Sequence, residues 1–156
     1  MVRIAYASEK DLPRILEIMQ DAVSPIWTFD AFLSEMRKGD SLFIVALEDA
    51  VVDIETGTPR CMGFAVVRQV GDDGELLQIA VDKLARRGGI GSLLIEAVID
   101  YAAKNAMQSV FLEVRNSNVA ATALYEKFGF ESVRTRKDYY DDPVEDAVVM
   151  KKMLST

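Results

Sequence analysis

The chain has 156 residues, of which 50% are hydrophobic and 28% charged, with a net charge of −7, no histidine and one cysteine. This balance fits one globular domain over residues 1–156. The missing histidines exclude Ser-His-Asp and Cys-His nucleophile systems and histidine-ligated metal sites. If the protein is an enzyme, we therefore expect proton transfer by carboxylates, tyrosines, lysines, termini or water. We also expect no metal cofactor. The acidic charge argues against a nucleic acid partner, and no apolar run is long enough for a membrane span. A lone thiol and the absence of a signal-peptide pattern predict a cytoplasmic protein.

The first half predicts helices followed by a strand meander. A short strand at 3–7 precedes an amphipathic helix over 9–23, which Pro25 ends. Thr28 begins a second short helix that Gly39 closes. Apolar, β-branched runs then predict three antiparallel strands joined by turns and by an irregular loop at 48–61, the strands covering 42–47, 62–70 and 75–81.

The second half alternates helices and strands. A helical stripe runs from Ile90 to Tyr101, and a second helix begins at Asn118 and ends at Gly129. Strands are predicted at 109–114, 130–136 and 144–153. A meander followed by this alternation predicts an α+β fold, with one mixed, mostly antiparallel sheet of about seven strands and about four helices on its two faces.

A glycine-rich segment, Arg86 to Ser92, joins a strand to the long helix. Its glycines allow close backbone approach and a nest of N–H groups, and the helix N-terminus favours an anion. A simple solvated turn would use the same residues. The segment lacks the Gly-Lys-Ser/Thr of a nucleoside-triphosphate loop, and Leu94 stands where a dinucleotide fingerprint needs glycine.

This segment resembles the pyrophosphate loop of the GNAT acetyltransferases, Arg/Gln-x-x-Gly-x-Gly/Ala, at Arg86, Gly89 and Gly91. The order of elements is similar to that family over the whole chain. The resemblance implies acetyl-CoA as co-substrate, with its diphosphate on the N–H groups of residues 87–92 and the Val81 N–H polarising the acetyl carbonyl. The cofactor-binding residues it implies are Ile79, Ala80, Val81, Arg86, Arg87, Gly88, Gly89, Ile90, Gly91, Ser92 and Asn118.

The segment from Leu112 to Phe130 carries a further signal. Asn118 is predicted to be a helix N-cap and Gly129 the C-terminal cap of the same helix. A capped helix explains nearly all of the residues in this segment. These caps do not explain Glu113, because an acid in an otherwise apolar strand must be paired or have a raised pKa that suits a general base.

The same segment closely resembles the RimI-type branch of the family in Leu-Glu-Val-Arg-x-Ser-Asn, Ala-x-x-Leu-Tyr and Gly-Phe. Those enzymes acetylate protein N-termini, in particular that of a small-subunit ribosomal protein. By that similarity Glu113 accepts a proton from the incoming α-ammonium through water, and Tyr125 donates one to the leaving thiolate. Asn118 contacts the cofactor as well as capping its helix.

The segment 136–150 taken alone predicts a charged hairpin loop with exposed aromatic residues. RimI-type enzymes carry a Tyr-Tyr pair followed by Glu-Asp-Ala there, which implies that Tyr139 and Tyr140 line a peptide groove. Trp27 lies in the segment expected to form the opposite wall, although a lone tryptophan is also common in packing. We expect a protein or peptide N-terminus as partner, with the enzyme a monomer or a homodimer.

Two other functions fit the cofactor half of the sequence equally well. A GNAT enzyme that acts on a small amine would share the same loop. A non-catalytic CoA-binding regulatory module would also keep the loop, but it would not need Glu113 and Tyr125.

Overall fold

The computed structural model describes residues 1–20 and 27–154, and this part of the chain forms seven strands and four α-helices. The strands are β1 Val2–Tyr6, β2 Ser41–Val52, β3 Pro59–Val70, β4 Asp73–Val81, β5 Ser109–Arg115, β6 Glu131–Tyr140 and β7 Glu145–Met153. The helices are α1 Leu12–Met19, α2 Phe29–Arg37, α3 Ile90–Lys104 and α4 Val119–Lys127.

The strands form one sheet in the order β1-β2-β3-β4-β5-β7-β6. β4 and β5 are parallel, and the other neighbours are antiparallel. The α+β prediction of a mixed, mostly antiparallel sheet is therefore confirmed. None of the helices in the described ranges is long and apolar enough to cross a bilayer.

The helices cover the two faces of the sheet and bury two apolar clusters. α3 and α4 pack on one face, where Leu94, Val98 and Tyr125 meet buried residues of β2 to β5. α1 and α2 pack on the other face, where Ile15 and Phe32 meet the aromatic residues of β2 and β3. The prediction of four helices on two faces is confirmed.

The parallel pair β4 and β5 is short, and this opens the sheet. The two strands pair only between Asp73–Leu76 and Ser109–Leu112. The register of β4 against β3 shifts at Leu77, which is the extra residue of a β-bulge. Beyond that point β4 continues along β3 while β5 continues along β7, so the two strands separate and leave a cleft between them.

Several predicted bounds differ from the structure. The expected irregular loop at 48–61 is wrong over most of its length, because β2 runs to Val52 and β3 begins at Pro59, and these two residues pair. A 3₁₀ turn at Glu9–Asp11 precedes α1. The predicted end of that helix, at 23 and Pro25, lies outside the described residues.

Candidate active site

A cavity of about 600 Å³ lies between the separated ends of β4 and β5 and the first turns of α3 and α4. Twelve of the residues predicted for the site line this cavity: Ile79, Ala80, Val81, Arg86, Arg87, Gly89, Ile90, Gly91, Ser92, Glu113, Asn118 and Tyr125. They come from four elements and one loop, so the separation of two strands brings together residues from distant parts of the sequence.

One wall of the cavity is the free edge of β4. The Asp82 N–H donates to the Met62 carbonyl of β3 at 2.8 Å. Because backbone groups alternate sides along a strand, the N–H and C=O of Val81 point the other way, toward the cavity. Arg86 confirms this direction, since its Nε donates to the Val81 carbonyl at 3.3 Å. β4 thus presents to the cavity backbone groups that are not paired with β5.

The loop before α3 ends in a helix N-terminus without a side-chain cap. Gly89 is the N-cap with a φ of 82°, and Arg87 has a φ of 70°. The N–H groups of the first helical turn, at residues 90–92, have no partner within the helix. Such N–H groups and the positive end of a helix dipole favour an anion, and here they lie at one end of the cavity.

The start of this loop is held from the opposite face of the sheet. Asp82 caps the 3₁₀ turn at Lys83–Ala85 by accepting from the Leu84 N–H at 2.8 Å, and it forms a short ion pair with Arg14 of α1. Arg14 Nε also donates to the Cys61 carbonyl at 3.0 Å. The loop therefore leaves β4 in a direction that α1 fixes.

α4 forms the other wall and packs tightly on α3. Asn118 caps α4, as predicted, with Oδ1 accepting from the Ala121 N–H at 3.2 Å. A Cβ added at Gly91 would lie 3.2 Å from Leu124 Cδ2, so a glycine at this position allows the two helices to approach. Tyr125 is 6% exposed, and burial raises the pKa of its hydroxyl, which the neighbouring Tyr140 raises further.

Glu113 lies at the point where β5 has left β4, and it is paired. Arg136 Nε of β6 lies 3.1 Å from Glu113 Oε1, and the Tyr139 hydroxyl donates to the same carboxylate. That hydrogen bond, followed by desolvation, raises the pKa of Tyr139 to about 12. The expectation that an acid in this strand must have a partner is met by two residues of β6, which lies beyond β7 in the sheet.

Arg115 joins the cavity to the β6–β7 hairpin. Its guanidinium lies over the Tyr140 ring, and it donates to the Pro143 carbonyl at 3.0 Å and to Glu145 at 3.3 Å. Burial, with the charge of Glu113, raises the pKa of Tyr140 to about 12. The Glu145 carboxylate accepts from the Ser117 N–H at 2.5 Å, so the hairpin is fastened to the start of α4.

This arrangement has the form of a two-ended site. One end is the uncapped N-terminus of α3, one side is the β4 edge that β5 has left, and the far end holds the Glu113 carboxylate and the Tyr125 hydroxyl. The Acetyltransferase (GNAT) family model matches residues 10–130. The chain belongs to the GNAT acetyltransferase family.

Proteins of known structure or curated function are similar to this chain over nearly its whole length. The chain is 34% identical over 157 residues to the [ribosomal protein bS18]-alanine N-acetyltransferase of Salmonella typhimurium, covering 99% of each protein. It is 33% identical over 153 residues to the N-alpha-acetyltransferase of Saccharolobus solfataricus, covering 92% of this chain and 88% of that one. The crystal structure of the ribosomal-protein-S18-alanine N-acetyltransferase from Escherichia coli superposes with a TM-score of 0.85 at 34% identity, covering 100% of this chain and 96% of that one.

Four of the predicted site residues of this acetyltransferase do not line the cavity: Trp27, Gly88, Tyr139 and Tyr140. Trp27 packs with its ring centroid 5.1 Å from that of Phe32, in the cluster between α2 and the sheet. The two tyrosines lie at the end of β6 rather than in a loop, with their rings 5.1 Å apart and nearly perpendicular. Tyr139 nevertheless reaches the site through its hydrogen bond to Glu113.

The sequence interpretation missed other residues of the site. Ala85, Val114, Arg115, Ala120, Ala121 and Leu124 also line the cavity. Arg115 stands two positions after Glu113, and that spacing could have placed both on one side of β5. Arg136 had no comparable signal, because nearly all of β6 is polar or exposed and shows no alternation. Within the described ranges no group of three or more acidic or cysteine side chains is placed to hold a metal ion.

Proposed function

We propose that this GNAT domain, spanning residues 1–156, transfers the acetyl group of acetyl-CoA to the N-terminal α-amine of a protein or peptide. The observation that carries the proposal is one cavity that joins the uncapped N-terminus of α3 to Glu113 and Tyr125. The relatives named for alanine N-acetylation of a ribosomal protein support this acceptor class.

The cavity fits acetyl-CoA. The diphosphate would bind the N–H groups of residues 87–92, and the positive φ at Gly89 brings that backbone close to the ligand. The pantetheine arm would pair with the free edge of Ile79–Val81. Arg86, Arg87 and Asn118 lie around the same opening. When bound, acetyl-CoA supplies an activated acyl thioester.

The chemistry follows from the two polar side chains at the far end. Glu113 removes a proton from the α-ammonium, through water, and the neutral nitrogen then forms its bond to the acyl carbon. The Val81 N–H stabilises the charge that develops on the acyl oxygen. As the carbon–sulfur bond breaks, Tyr125 donates its proton to the sulfur, and the second proton of the attacking nitrogen passes through water to the Tyr125 oxygen, so that the amide leaves neutral. Burial raises the pKa of Tyr125, so the hydroxyl keeps this proton at neutral pH.

The acceptor would approach from the β6–β7 hairpin. Tyr139 is half exposed and already touches Glu113, so a peptide lying against it brings its terminus to the base. Trp27 is partly exposed and would form the opposite wall of the proposed groove, whereas Tyr140 is buried and would support that groove from behind its surface. Since the relatives' acceptor is a ribosomal protein, we also propose action in the cytoplasm, by a monomer or a homodimer without nucleic acid or membrane contacts.

The test is mass spectrometry after incubation with acetyl-CoA and two matched panels. One panel holds peptides with free N-termini, including alanine, and the other holds polyamines, amino acids and aminoglycosides. The proposal expects acetylation of peptide α-amines with peptide lysines unmodified. Turnover of the small amines alone would overturn it. Stabilisation by acetyl-CoA without turnover in either panel would indicate a regulatory module instead.

A further inference from the structure

Arg136 occupies a position on β6 from which it reaches across the neighbouring strand. It pairs in register with Ala147 of β7, whereas Glu113 of β5 pairs with Val149. The arginine therefore extends diagonally past the small side chain of Ala147 to place Nε 3.1 Å from Glu113 Oε1, as an ion pair in which the buried Nε makes no hydrogen bond. The side chain of Arg136 is 39% exposed and that of Glu113 is 15% exposed. The ion pair therefore connects a partly exposed residue of β6 with a residue that lines the cavity.

We propose that Arg136 is the positioning residue of Glu113: it holds the carboxylate where β5 has left β4, facing the acceptor. The inference rests on the proposed function, in which Glu113 is the base. No part of the function so far requires Arg136, and it lies outside the cavity lining. In this proposal Arg136 affects the reaction only through its contact with the Glu113 carboxylate.

The geometry favours positioning over stabilisation of the fold. A partly exposed ion pair contributes at most about 1 kcal/mol to folding. A catalytic group displaced by about 1 Å can lower the rate about 10²-fold. Glu113 needs a lateral support because β4, which would flank it in a continuous sheet, has turned away after Leu76. The two groups that hold its carboxylate, Arg136 and the Tyr139 hydroxyl, both come from β6.

A double-mutant cycle tests this through kcat. We expect Arg136→Gln to lower kcat for an N-terminal peptide about 10–10²-fold with an unchanged KM for acetyl-CoA, and Arg136→Lys to restore part of the loss. In a Glu113→Gln background, Arg136→Gln should produce less than a twofold further change, because its effect passes through Glu113. Arg134→Gln, the same charge change at an exposed position of β6, is the control and should stay within twofold of the wild type.

A second measurement does not need turnover. The charged groups that shift the pKa of the Tyr139 hydroxyl are Glu113 of β5, Arg136 of β6 and Glu75 of β4, and this pKa is about 12. Loss of the Arg136 cation alone raises this pKa, since that cation lowers it. Release of the Glu113 carboxylate from Tyr139 lowers it instead. The inference expects the lower pKa in Arg136→Gln, followed by NMR of ¹³C-labelled tyrosine and assigned with Tyr139→Phe, over the pH range in which circular dichroism shows an intact fold.

The outcomes separate this inference from the proposed function. An unchanged kcat in Arg136→Gln, an equal loss in the Glu113→Gln background, or a raised Tyr139 pKa overturns the positioning role and leaves the function intact. A wild-type enzyme that acetylates no peptide overturns the function, and the tyrosine titration then still decides whether Arg136 holds the carboxylate.

Discussion

The guanidinium of Arg115 lies over the ring of Tyr140, with Cζ 4.3 Å from the ring centroid. Both residues are buried, and Arg115 also donates to the Pro143 carbonyl and to Glu145. One arginine at the end of β5 therefore contacts the last residue of β6, the turn and the first residue of β7. The hairpin that carries Tyr139 is held in place from the cavity wall.

Arg115→Met should destabilise the protein and weaken peptide binding. The methionine keeps apolar contacts but removes the cation, and the Glu145 carboxylate and Pro143 carbonyl lose a donor. We expect a loss of about 2–4 kcal/mol in the free energy of unfolding, measured by urea denaturation, and a higher KM for peptide. Arg134→Met on the exposed part of β6 is the matched control. Equal stabilities of the two variants would contradict the role of Arg115.

Tyr125→Phe tests the proton donor. The variant keeps the buried ring, 5.9 Å from that of Phe130, and removes only the hydroxyl. We expect kcat to fall about 10²-fold, with an acetyl-CoA Kd by calorimetry within twofold of the wild type. Tyr101→Phe, on the face of α3 away from the cavity lining, is the control. An unaltered kcat would exclude Tyr125 as the acid.

Glu113→Gln tests the proton acceptor through the pH profile of the acetyl transfer. A free peptide α-ammonium has a pKa of about 8, so a variant without the base depends on amine that is already neutral. We expect activity to be lost near pH 7 and partly regained as the pH rises toward 9. A variant that retains the wild-type profile would rule out this base.

The order and type of the elements were readable from the sequence because periodicity reports which side chains are buried. Leu94 and Val98 of α3 and the β-branched runs of β2 and β3 are core residues, so their spacing carries the signal. The end of β2 was missed for the converse reason. Its last residues, Asp49 to Val52, are exposed on an extended arm, where backbone pairing with β3 forms a strand that burial does not mark.

Residues of the candidate site were predictable from the sequence only where they belong to a short local motif. Gly89 and Asn118 act within their own turn, so a short pattern is sufficient to identify them. Contacts between strands are different, because they depend on register. Arg136 reaches Glu113 only because β6 pairs with β7 and β7 with β5, an arrangement with no counterpart in local spacing.

Gly89→Ala should weaken both the loop and cofactor binding. Gly89 has a φ of 82°, and an alanine there costs about 1–2 kcal/mol in the left-handed region or forces the loop to change shape. We expect that loss in the free energy of unfolding, or a clearly raised acetyl-CoA Kd by calorimetry. Gly39→Ala, where an added Cβ meets no atom within 4 Å and φ is not positive, should change neither. Identical behaviour of the two variants would argue against the loop as the anion site.

Asp82→Asn should change how stability depends on pH. Burial acts to raise the pKa of Asp82, but the Leu84 N–H and Arg14 act against it, and the net pKa is lowered. The unfolded carboxyl titrates near pH 4, so its stabilising contribution is present above about pH 4 and is lost as the pH falls through the lower folded pKa. The variant has no carboxyl to titrate. We expect it to be about 1 kcal/mol less stable than the wild type at pH 6, with the difference narrowing toward pH 3 in urea denaturation.

Asp100→Asn, on the exposed side of α3, is the control and should show no such narrowing. A difference between Asp82→Asn and the wild type that stays constant from pH 6 to pH 3 would contradict the prediction. Asp82 also caps the turn ahead of Arg86, so the same variant should raise the acetyl-CoA Kd at pH 7. A lower stability with an unchanged Kd would show that the pair of Arg14 and Asp82 supports the fold without shaping the loop.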